Sequence, residues 1–409
     1  MDLPSRARQT EIVLLFTAFI AATYGFGVYL FPAIVEPIRA EMGFSYAALG
    51  TVSGLVQTGF MVSAAAAGVM TLRFGAMPLI LSACSVCAIC LFGLAFAPDI
   101  RVMGALLVVL GGCAVVVWVP MVEVAREVIA PGHQGKALGL MSSGTSYGVF
   151  VNSLLMISVL PQMGWRWVWG ITSLAVVVLA LVGLVRLRGF GQGSAPKGQP
   201  AAPVSLLQRR RMLATRVTAT LVVIMFLNGL ACMPFQTYLS AYLQGEVGLA
   251  PEDAAFAWRL VGLVGMASGF LLGALADLIT VRRALVLTHV ILAGACIALV
   301  APGVASVSLM TSAAAIAFGT AFFAIFGLIP AYISQSFGKG DAAIVFSLTN
   351  ISLGLGGIAG NLAGGLVKEA SGSFVAAYLA MGLAAGLSVL LSLALPMLQR
   401  RDRPDAAIE

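Results

Sequence analysis

The stretch LLVVLGGCAVVVWV, residues 106–119, is apolar on every face of a helix and carries no charge. With the apolar residues around it, the stretch is long enough, at about 1.5 Å per residue, to cross a hydrocarbon layer about 30 Å thick. It lacks the alternation of polar and apolar residues that marks the strands of a membrane barrel, so a helix is the only spanning structure open to it. The stretch therefore predicts a transmembrane helix.

Similar stretches recur along all 409 residues, of which 60% are hydrophobic and 10% charged. A soluble chain carries about 25% charged residues, so the soluble classes of protein are excluded. The first apolar stretch is too long for the core of a signal peptide. Twelve transmembrane helices are predicted, over residues 11–35, 47–70, 77–97, 102–125, 137–160, 167–187, 214–240, 253–276, 283–301, 307–331, 342–365 and 373–396.

The positive charges predict the orientation of these helices. With the N-terminus in the cytoplasm, 18 of the 23 Lys and Arg residues fall on the cytoplasmic side. Such an excess is typical of cytoplasmic loops, so both termini are predicted to be cytoplasmic. The same asymmetry accounts for the net charge of +7 without a nucleic-acid partner. The five remaining cations are Arg39, Arg101, Arg166, Arg259 and Lys368.

A polar stretch divides the predicted helices six and six. Residues 188–213 are rich in Gly, Pro, Ser and basic residues, which is typical of a flexible linker. The linker separates an N-terminal half, 1–187, from a C-terminal half, 214–409. The predicted fold class is therefore an all-α membrane protein with twelve transmembrane helices in two pseudo-symmetric six-helix bundles.

The loop after the second helix is similar in the two halves. It reads GVMTLRFGAM at residues 68–77 and GALADLITVRR at residues 273–283. Both copies resemble the signature of loop 2–3 in the major facilitator superfamily, G-x-x-x-D-R-x-G-R-R. The signature residues that are kept are Gly68, Arg73 and Gly75 in the first copy and Gly273, Asp277 and Arg282 in the second, whereas Leu72, Leu278 and Thr280 depart from it.

Three further stretches resemble the same family. They are GWRW at residues 164–167, GKALG at residues 135–139, and YGFG at residues 24–27. The last is followed by FP at residues 31–32 and by GFS at residues 43–45. The resemblance covers all twelve helices. It implies a carrier in a bacterial inner membrane that moves a small molecule by alternating access, as two parallel repeats around a central site. It implies no cofactor and no need for more than a monomer.

Arg259 is the candidate for binding a charged substrate. It lies 14 residues before Gly273, or about 21 Å along a helix, and so inside the outer half of the membrane. A charge at bilayer depth costs at least about 2.5–3.5 kcal/mol, so it is expected to have a function. A guanidinium binds a carboxylate through two parallel hydrogen bonds. The alternative is that Arg259 extends outward to pair with Glu252 or Asp253. Organic-anion carriers of the family that this chain resembles place an Arg in helix 8. This favours substrate binding by Arg259 over pairing with Glu252 or Asp253.

Neutral polar residues inside the predicted helices are further candidates for substrate binding. Each could instead hydrogen-bond a neighbouring helix, an interaction worth about 0.6 kcal/mol. Trp118 and the group Phe322, Phe323 and Phe326 are expected to fill the core or form a cavity wall. The neutral candidates are Tyr24, Gln57, Tyr147, Asn152, Asn228, Gln236 and Asn350.

Charged residues at the cytoplasmic ends of the helices are candidates for gating and coupling. Glu123 and Glu127 lie four residues apart on one face of helix 4. In the resembling family the basic residue of loop 2–3 pairs with an acid at the end of helix 4. An Arg73–Glu127 ion pair is therefore predicted to hold the outward-open state, and Asp277 is predicted to act similarly in the second half. Among the carboxylates, Glu123 lies nearest to the middle of the membrane.

These residues predict a secondary carrier of a small organic anion, a carboxylate, by proton symport or anion exchange. Protons could travel on Glu123 or on the substrate itself, and exchange needs no proton site. The alternative is an efflux carrier for drugs or hydrophobic metabolites. Against efflux, helix 5 lacks a Gly-Pro pair and helix 4 has Leu107 and Val108 where the resembling drug antiporters have an Arg.

Neither an enzyme nor a metal protein is expected. His133 and His289 have no second nucleophile or base with which to form a catalytic set. The cysteines all lie inside apolar stretches without clustered polar ligands, so they are expected to serve in packing rather than in metal binding. The cysteines are Cys84, Cys87, Cys90, Cys113, Cys232 and Cys296.

Overall fold

The computed structural model describes residues 4–130, 133–187, 215–301 and 307–397. The predicted linker, 188–213, lies outside the described residues. Twelve long helices occur in the described ranges, each within a few residues of its predicted bounds. They are α1 (Arg6–Ala33), α2 (Tyr46–Phe74), α3 (Ala76–Ala95), α4 (Ile100–Val128), α5 (Gln134–Ser158), α6 (Trp165–Arg186), α7 (Arg216–Gly245), α8 (Pro251–Ile279), α9 (Val281–Val300), α10 (Val307–Ser336), α11 (Lys339–Ser371) and α12 (Val375–Ala394).

Eleven of these helices are long and apolar enough to cross a membrane by length and composition. The twelfth, α5, has 25 residues and contains a run of small polar side chains. This helix packs between α1 of its own half and α8 of the other half, so protein covers much of its surface. Protein contacts can satisfy polar groups at a depth where lipid cannot.

The helices pack as two bundles with matching internal contacts. In the first half α1 packs on α5, α2 on α4, and α3 on both α4 and α6. In the second half α7 packs on α11, α8 on α10, and α9 on both α10 and α12. Each contact in one half recurs six helices later in the other, so the predicted fold class is confirmed. The bundles meet along two seams, α2 with α11 and α5 with α8.

The helices of both bundles end on two opposite sides of the molecule. We call the end at which α6 finishes and α7 begins the linker side, and the opposite end the distal side. A short helix, Val35–Met42, joins α1 to α2 on the distal side. It was not predicted, because the expected first helix ran to residue 35.

Within α1, residues Ala21–Tyr29 are π-helical, and Gly25 in this section packs directly on Gly148 of α5.

Candidate transport pathway between the two bundles

Glycines bring the two bundles into backbone contact on the distal half of each seam. A Cβ atom on Gly50 of α2 would lie 2.3 Å from the carbonyl oxygen of Asn361 in α11. A Cβ atom on Gly262 of α8 would lie 2.7 Å from the backbone nitrogen of Phe150 in α5. Both distances are too short for any side chain, so only glycine allows the helices to approach this closely.

The same seams are apart on the linker half. Gly68 lies further along the α11-facing side of α2, and no atom of the described residues lies within 4 Å of where its Cβ would be. The same is true of Gly139 on α5 and Gly273 on α8, which continue the other seam. The bundles therefore touch on the distal side and enclose a cavity that is open on the linker side.

Hydrogen bonds also cross between the bundles on the distal side. The indole Nε1 of Trp258 in α8 donates to Ser240 Oγ in α7 at 2.8 Å. Ser240 Oγ in turn donates to the carbonyl oxygen of Ala33 at the end of α1, also at 2.8 Å. Nearer the cavity, Gln57 Nε2 of α2 donates to Met233 Sδ of α7 at 3.2 Å. These bonds join α1 and α2 to the second bundle and add to the glycine contacts.

An ion pair on the distal surface belongs to the second bundle. Lys368 Nζ lies 2.7 Å from Glu246 Oε2, and both side chains are largely buried. Glu246 also accepts hydrogen bonds from Ser373 Oγ and from the backbone N–H of Phe374. Burial alone would raise the pKa of Glu246, but the bonds from Lys368, Ser373 and Phe374 outweigh it and hold this pKa below its ordinary value.

Tyr46, the first residue of α2, connects the first bundle to this ion pair. Lys368 Nζ lies 5.7 Å from the centre of the Tyr46 ring, and Arg39 Cζ lies 4.3 Å from it. The ring meets Phe374 edge-on at 5.0 Å. A cation near an aromatic ring contributes about 0.5–2 kcal/mol, depending on exposure. We call Glu246, Lys368, Phe374, Tyr46 and Arg39 the distal latch.

Arg259 lies in α8 eight residues after its distal end, or about 12 Å along the helix. At about 100° per residue it lies about 60° from Gly262, towards the exposed Leu263 and Phe270, and so at the outer edge of the α5–α8 seam. Its Nε is enclosed and has no hydrogen-bond partner among the described residues.

The alternative partners of Arg259 do not reach it. Glu252 and Asp253 are exposed, and neither forms an ion pair with Arg259 in the described part of the chain. The structure thus leaves an enclosed guanidinium nitrogen at membrane depth with no counter-charge among the described residues.

Asn152 and Asn228 are fully buried, and each has a side-chain oxygen without a partner among the described residues. Asn152 Nδ2 donates to the carbonyl oxygen of Gly25 at 2.8 Å, which ties α5 to α1. Within the described ranges, Asn228 Nδ2 makes only a long contact, 3.8 Å, with Met225 Sδ in its own helix. Both amides keep an unused acceptor inside a bundle.

The other neutral candidates are dispersed. Gln236 and Asn350 donate to carbonyl oxygens of their own helices, and Tyr24 packs edge-on against Phe60. Tyr147 is 39% exposed and lies on the same outward stripe of α5 as Val151 and Leu154, so the structure does not bring it into the pathway. The seven neutral candidates do not form one cluster.

Ser146 and Asn361 are buried polar residues that sequence reasoning missed. Ser146 lies at the α5–α8 seam, where its Oγ would be 2.7 Å from a Cβ on Gly265. Asn361 presents its backbone oxygen to Gly50 and to the Tyr238 hydroxyl. Both have a side-chain oxygen without a partner in the described residues. Their place within an apolar span was the available signal.

The gating candidates are exposed on the linker side. Arg73, Glu123 and Glu127 are all exposed, and the Arg73–Glu127 ion pair is not formed within the described residues. Asp277 is likewise exposed. The ion pair was predicted for the opposite state, so it stays a prediction. None of these acids lies inside the closed distal half.

A further cavity, the cysteines and the histidine of α9 lie away from the pathway. An apolar groove of about 490 Å³ runs between α2, α3 and α4 on the outside of the first bundle. The six cysteines are free and buried, and no group of His, Cys, Asp and Glu suited to a metal occurs in the described ranges. His289 packs between α9 and α12, where its Nδ1 lies 3.0 Å from Ser392 Oγ.

Residues 15–361 match the sequence profile of the Major Facilitator Superfamily. YwtG of Bacillus subtilis (strain 168), which is named for metabolite transport, is 24% identical over 206 residues. That match covers 50% of this chain and 45% of YwtG, so less than half of the relative's length is aligned.

Solved structures with a similar fold include two transporters. One is a bacterial homologue of the human lysosomal transporter Spinster in an inward-facing, unoccupied conformation, with a TM-score of 0.72, 16% identity and 96% coverage of both chains. The other is a mutant of the nucleoside transporter NupG, with a TM-score of 0.73, 14% identity and coverage of 94% of this chain and 98% of that one. At these identities the likeness concerns the fold.

Proposed function

The chain belongs to the Major Facilitator Superfamily and is a multi-pass membrane transporter of a metabolite rather than an enzyme, and we propose that its substrate is a small organic anion, a carboxylate. The carrier works by alternating access in a bacterial inner membrane. The linker side and both termini face the cytoplasm, as the excess of cations on that side indicates. The structure then corresponds to the inward-open state.

One observation carries the choice of an anion. Arg259 has an enclosed Nε at membrane depth with no counter-charge among the described residues. A cation at membrane depth without a counter-charge is costly, and a carboxylate is the partner that a guanidinium binds best. The anion supplies this partner when the α5–α8 seam parts on the distal side. The amides of Asn152 and Asn228, and the other neutral candidates apart from Tyr147, bind the substrate or stabilise contacts between helices.

Arg259→Gln is expected to abolish uptake of the carboxylate substrate, whereas Arg259→Lys should retain part of it. Gln keeps a polar side chain but loses the charge, while Lys keeps the charge without the bidentate geometry. Uptake of labelled carboxylates into proteoliposomes would be measured with and without an imposed pH gradient. Each variant would then be tested on the carboxylate that is taken up fastest. Arg101→Gln is the matched control, because Arg101 lies exposed on the distal surface. Undiminished uptake by Arg259→Gln would show that Arg259 does not bind the substrate. A lipid phosphate would then be its partner.

Coupling is proposed to be proton symport or anion exchange. Glu123 is exposed on the linker side, so a proton on it would exchange with the cytoplasm in this state. Uptake that follows an imposed pH gradient supports symport. Uptake that needs a loaded internal anion and ignores the gradient supports exchange.

The Arg73–Glu127 ion pair is proposed to form when the linker side closes. Neutralising either residue is expected to slow turnover about tenfold with little change in apparent affinity, since the pair contributes to one state and does not touch the substrate. The double exchange Arg73→Glu with Glu127→Arg should restore the rate, which initial rates of uptake would measure. A double exchange as slow as the single variants would argue against the pair, and Asp277→Asn tests the second half in the same way.

A second candidate, efflux of hydrophobic metabolites, is favoured by the aromatic side chains of the cavity. Phe326 is 43% exposed towards the open side, and Tyr24, Phe60 and Trp118 are half-buried in the other bundle. Such a carrier would tolerate Arg259→Ala. Retention of transport by that variant would favour efflux over anion uptake.

A further inference from the structure

We infer that the anion carries a flat apolar ring at some distance from its carboxylate, and that this ring lies against aromatic side chains that face the cavity from both bundles. The inference rests on the proposed function, since it adds the body of the substrate to the charged group that Arg259 would bind. It concerns Phe322 and Phe326 on α10 and Tyr24 and Phe60 in the first bundle, which we call the aromatic wall.

The α10 side of the aromatic wall faces the other bundle. Phe322 meets Tyr29 of α1 edge-on with ring centroids 6.2 Å apart, so this face of α10 points across the molecule. Phe326 lies one turn further towards the linker side, with its ring 5.1 Å from that of Phe322. Phe322 is 3% exposed and Phe326 is 43% exposed. The face therefore leads from the closed distal half into the open cavity, where Phe326 presents a free ring.

The first bundle contributes the opposite side of the aromatic wall. Tyr24 and Phe60 meet edge-on at 6.3 Å, and both are half-buried. On α2, Gly59 packs against Val108 of α4 while Gln57 reaches Met233 of α7. Phe60 lies between these two directions around the helix and so faces the cavity between the bundles.

Exposed rings with few polar neighbours bind flat apolar groups. Aromatic pairs in offset or edge-on contact gain about 0.5–1.5 kcal/mol beyond the burial of their area. A short hydrophilic acid such as acetate would leave these rings facing water. An amphipathic acid can cover them and still present its carboxylate to Arg259.

The helix register gives the separation, along the helix axis, between Arg259 and the aromatic wall. Val261 of α8 packs on Gly319 of α10, and Gly265 packs on Phe323, so Arg259 is level with residue 317. Measured along the helix axis, Phe322 and Phe326 then lie about 8 and 13 Å nearer the linker side than Arg259, which is at the outer edge of the α5–α8 seam. A ring attached directly to a carboxylate is too short to reach both ends, whereas a ring on a chain of several carbons is long enough. The Tyr29–Phe322 contact lies between the two ends and must part for one ligand to touch both.

The test is calorimetric binding of 4-phenylbutyrate to the full-length protein in lipid nanodiscs. The comparison ligands are butyrate, which lacks the ring, benzoate, which lacks the chain, and 4-phenylbutanol, which lacks the charge. We expect 4-phenylbutyrate to bind about 30-fold more tightly than butyrate and more tightly than benzoate, because only it buries a ring at the right distance. Phe326→Ala should weaken its binding about tenfold. Phe270→Ala is the matched control, since Phe270 is 78% exposed on the outer face of α8.

The outcomes separate this inference from the proposed function. Equal binding of butyrate and 4-phenylbutyrate, or no effect of Phe326→Ala, overturns the inference. The proposal that the protein carries a small organic anion would still stand. Equal binding of 4-phenylbutanol and 4-phenylbutyrate, with no effect of Arg259→Gln, overturns the anion and leaves a carrier of hydrophobic molecules. Absence of binding by the whole panel contradicts the inference as well.

Discussion

Gly50→Ala is expected to slow transport about 10- to 100-fold. The added Cβ would lie 2.3 Å from the Asn361 carbonyl oxygen and 2.5 Å from the Tyr238 hydroxyl oxygen, so α2 and α11 could no longer touch on the distal side. Overpacking of this kind costs about 1–3 kcal/mol, and here the cost falls on the distally closed state alone. Initial rates of uptake in proteoliposomes would measure the effect.

The matched control is Gly68→Ala in the same helix. In the part of the chain that the structure describes, no atom lies within 4 Å of a Cβ at Gly68, so this change should leave transport near its normal rate. Spin labels at Ala40 and Ser371, both exposed on the distal surface, would report the state directly. We expect a longer distance between the labels in Gly50→Ala than in Gly68→Ala. Equal distances and equal rates in the two variants would show that the glycine contact does not control distal closure.

The sequence predicted the helices well because membrane thickness fixes their length and hydropathy fixes their place. Its errors lie where a helix leaves the hydrocarbon. α11 was expected to end at residue 365 but continues to residue 371, and α7 was expected to end at residue 240 but continues to residue 245. Hydropathy falls at the membrane surface, whereas backbone hydrogen bonding does not stop there. The extended ends carry Lys368 and border Glu246, so the distal latch was beyond the reach of a hydropathy pattern.

The candidate site was predicted less well, because a polar residue inside a span reveals its depth but not the direction in which it points. Ser146 and Tyr147 are neighbours at the same depth, yet a step of about 100° turns Ser146 to the α5–α8 seam and Tyr147 to the outside. Contacts between the halves were equally hidden. Tyr46 and Lys368 meet across 322 residues of sequence, and nothing local in either segment specifies the other.

Glu246→Gln is expected to loosen the distal latch and shift the carrier about tenfold towards its distally open state. The variant removes the charge that holds Lys368 and leaves a largely buried ammonium without its ion pair. Loss of one partner in a pair of this kind costs about 1–3 kcal/mol, of which partial exposure removes a share. Tyr46 would then face a mobile cation instead of a fixed one. The Ala40–Ser371 distance measures this shift, and an unchanged distance would show that the latch plays no part in closure.

Acid should produce the same opening in the natural protein. The pKa of Glu246 is lower in this state than its ordinary value of 4.5, so the stabilisation is complete above that value and disappears as the pH falls through the lowered one. In the natural protein the distance between the labels should therefore stay constant from pH 7 to about pH 4.5 and lengthen as the pH falls further. Glu36 and Glu369 are further carboxylates near the distal latch, but they are the same in both proteins. Because Glu246→Gln has no proton to gain at this position, its distance should already be long at neutral pH and should respond less to acid. An equal response in the two proteins would assign the acid effect to those other carboxylates and not to Glu246.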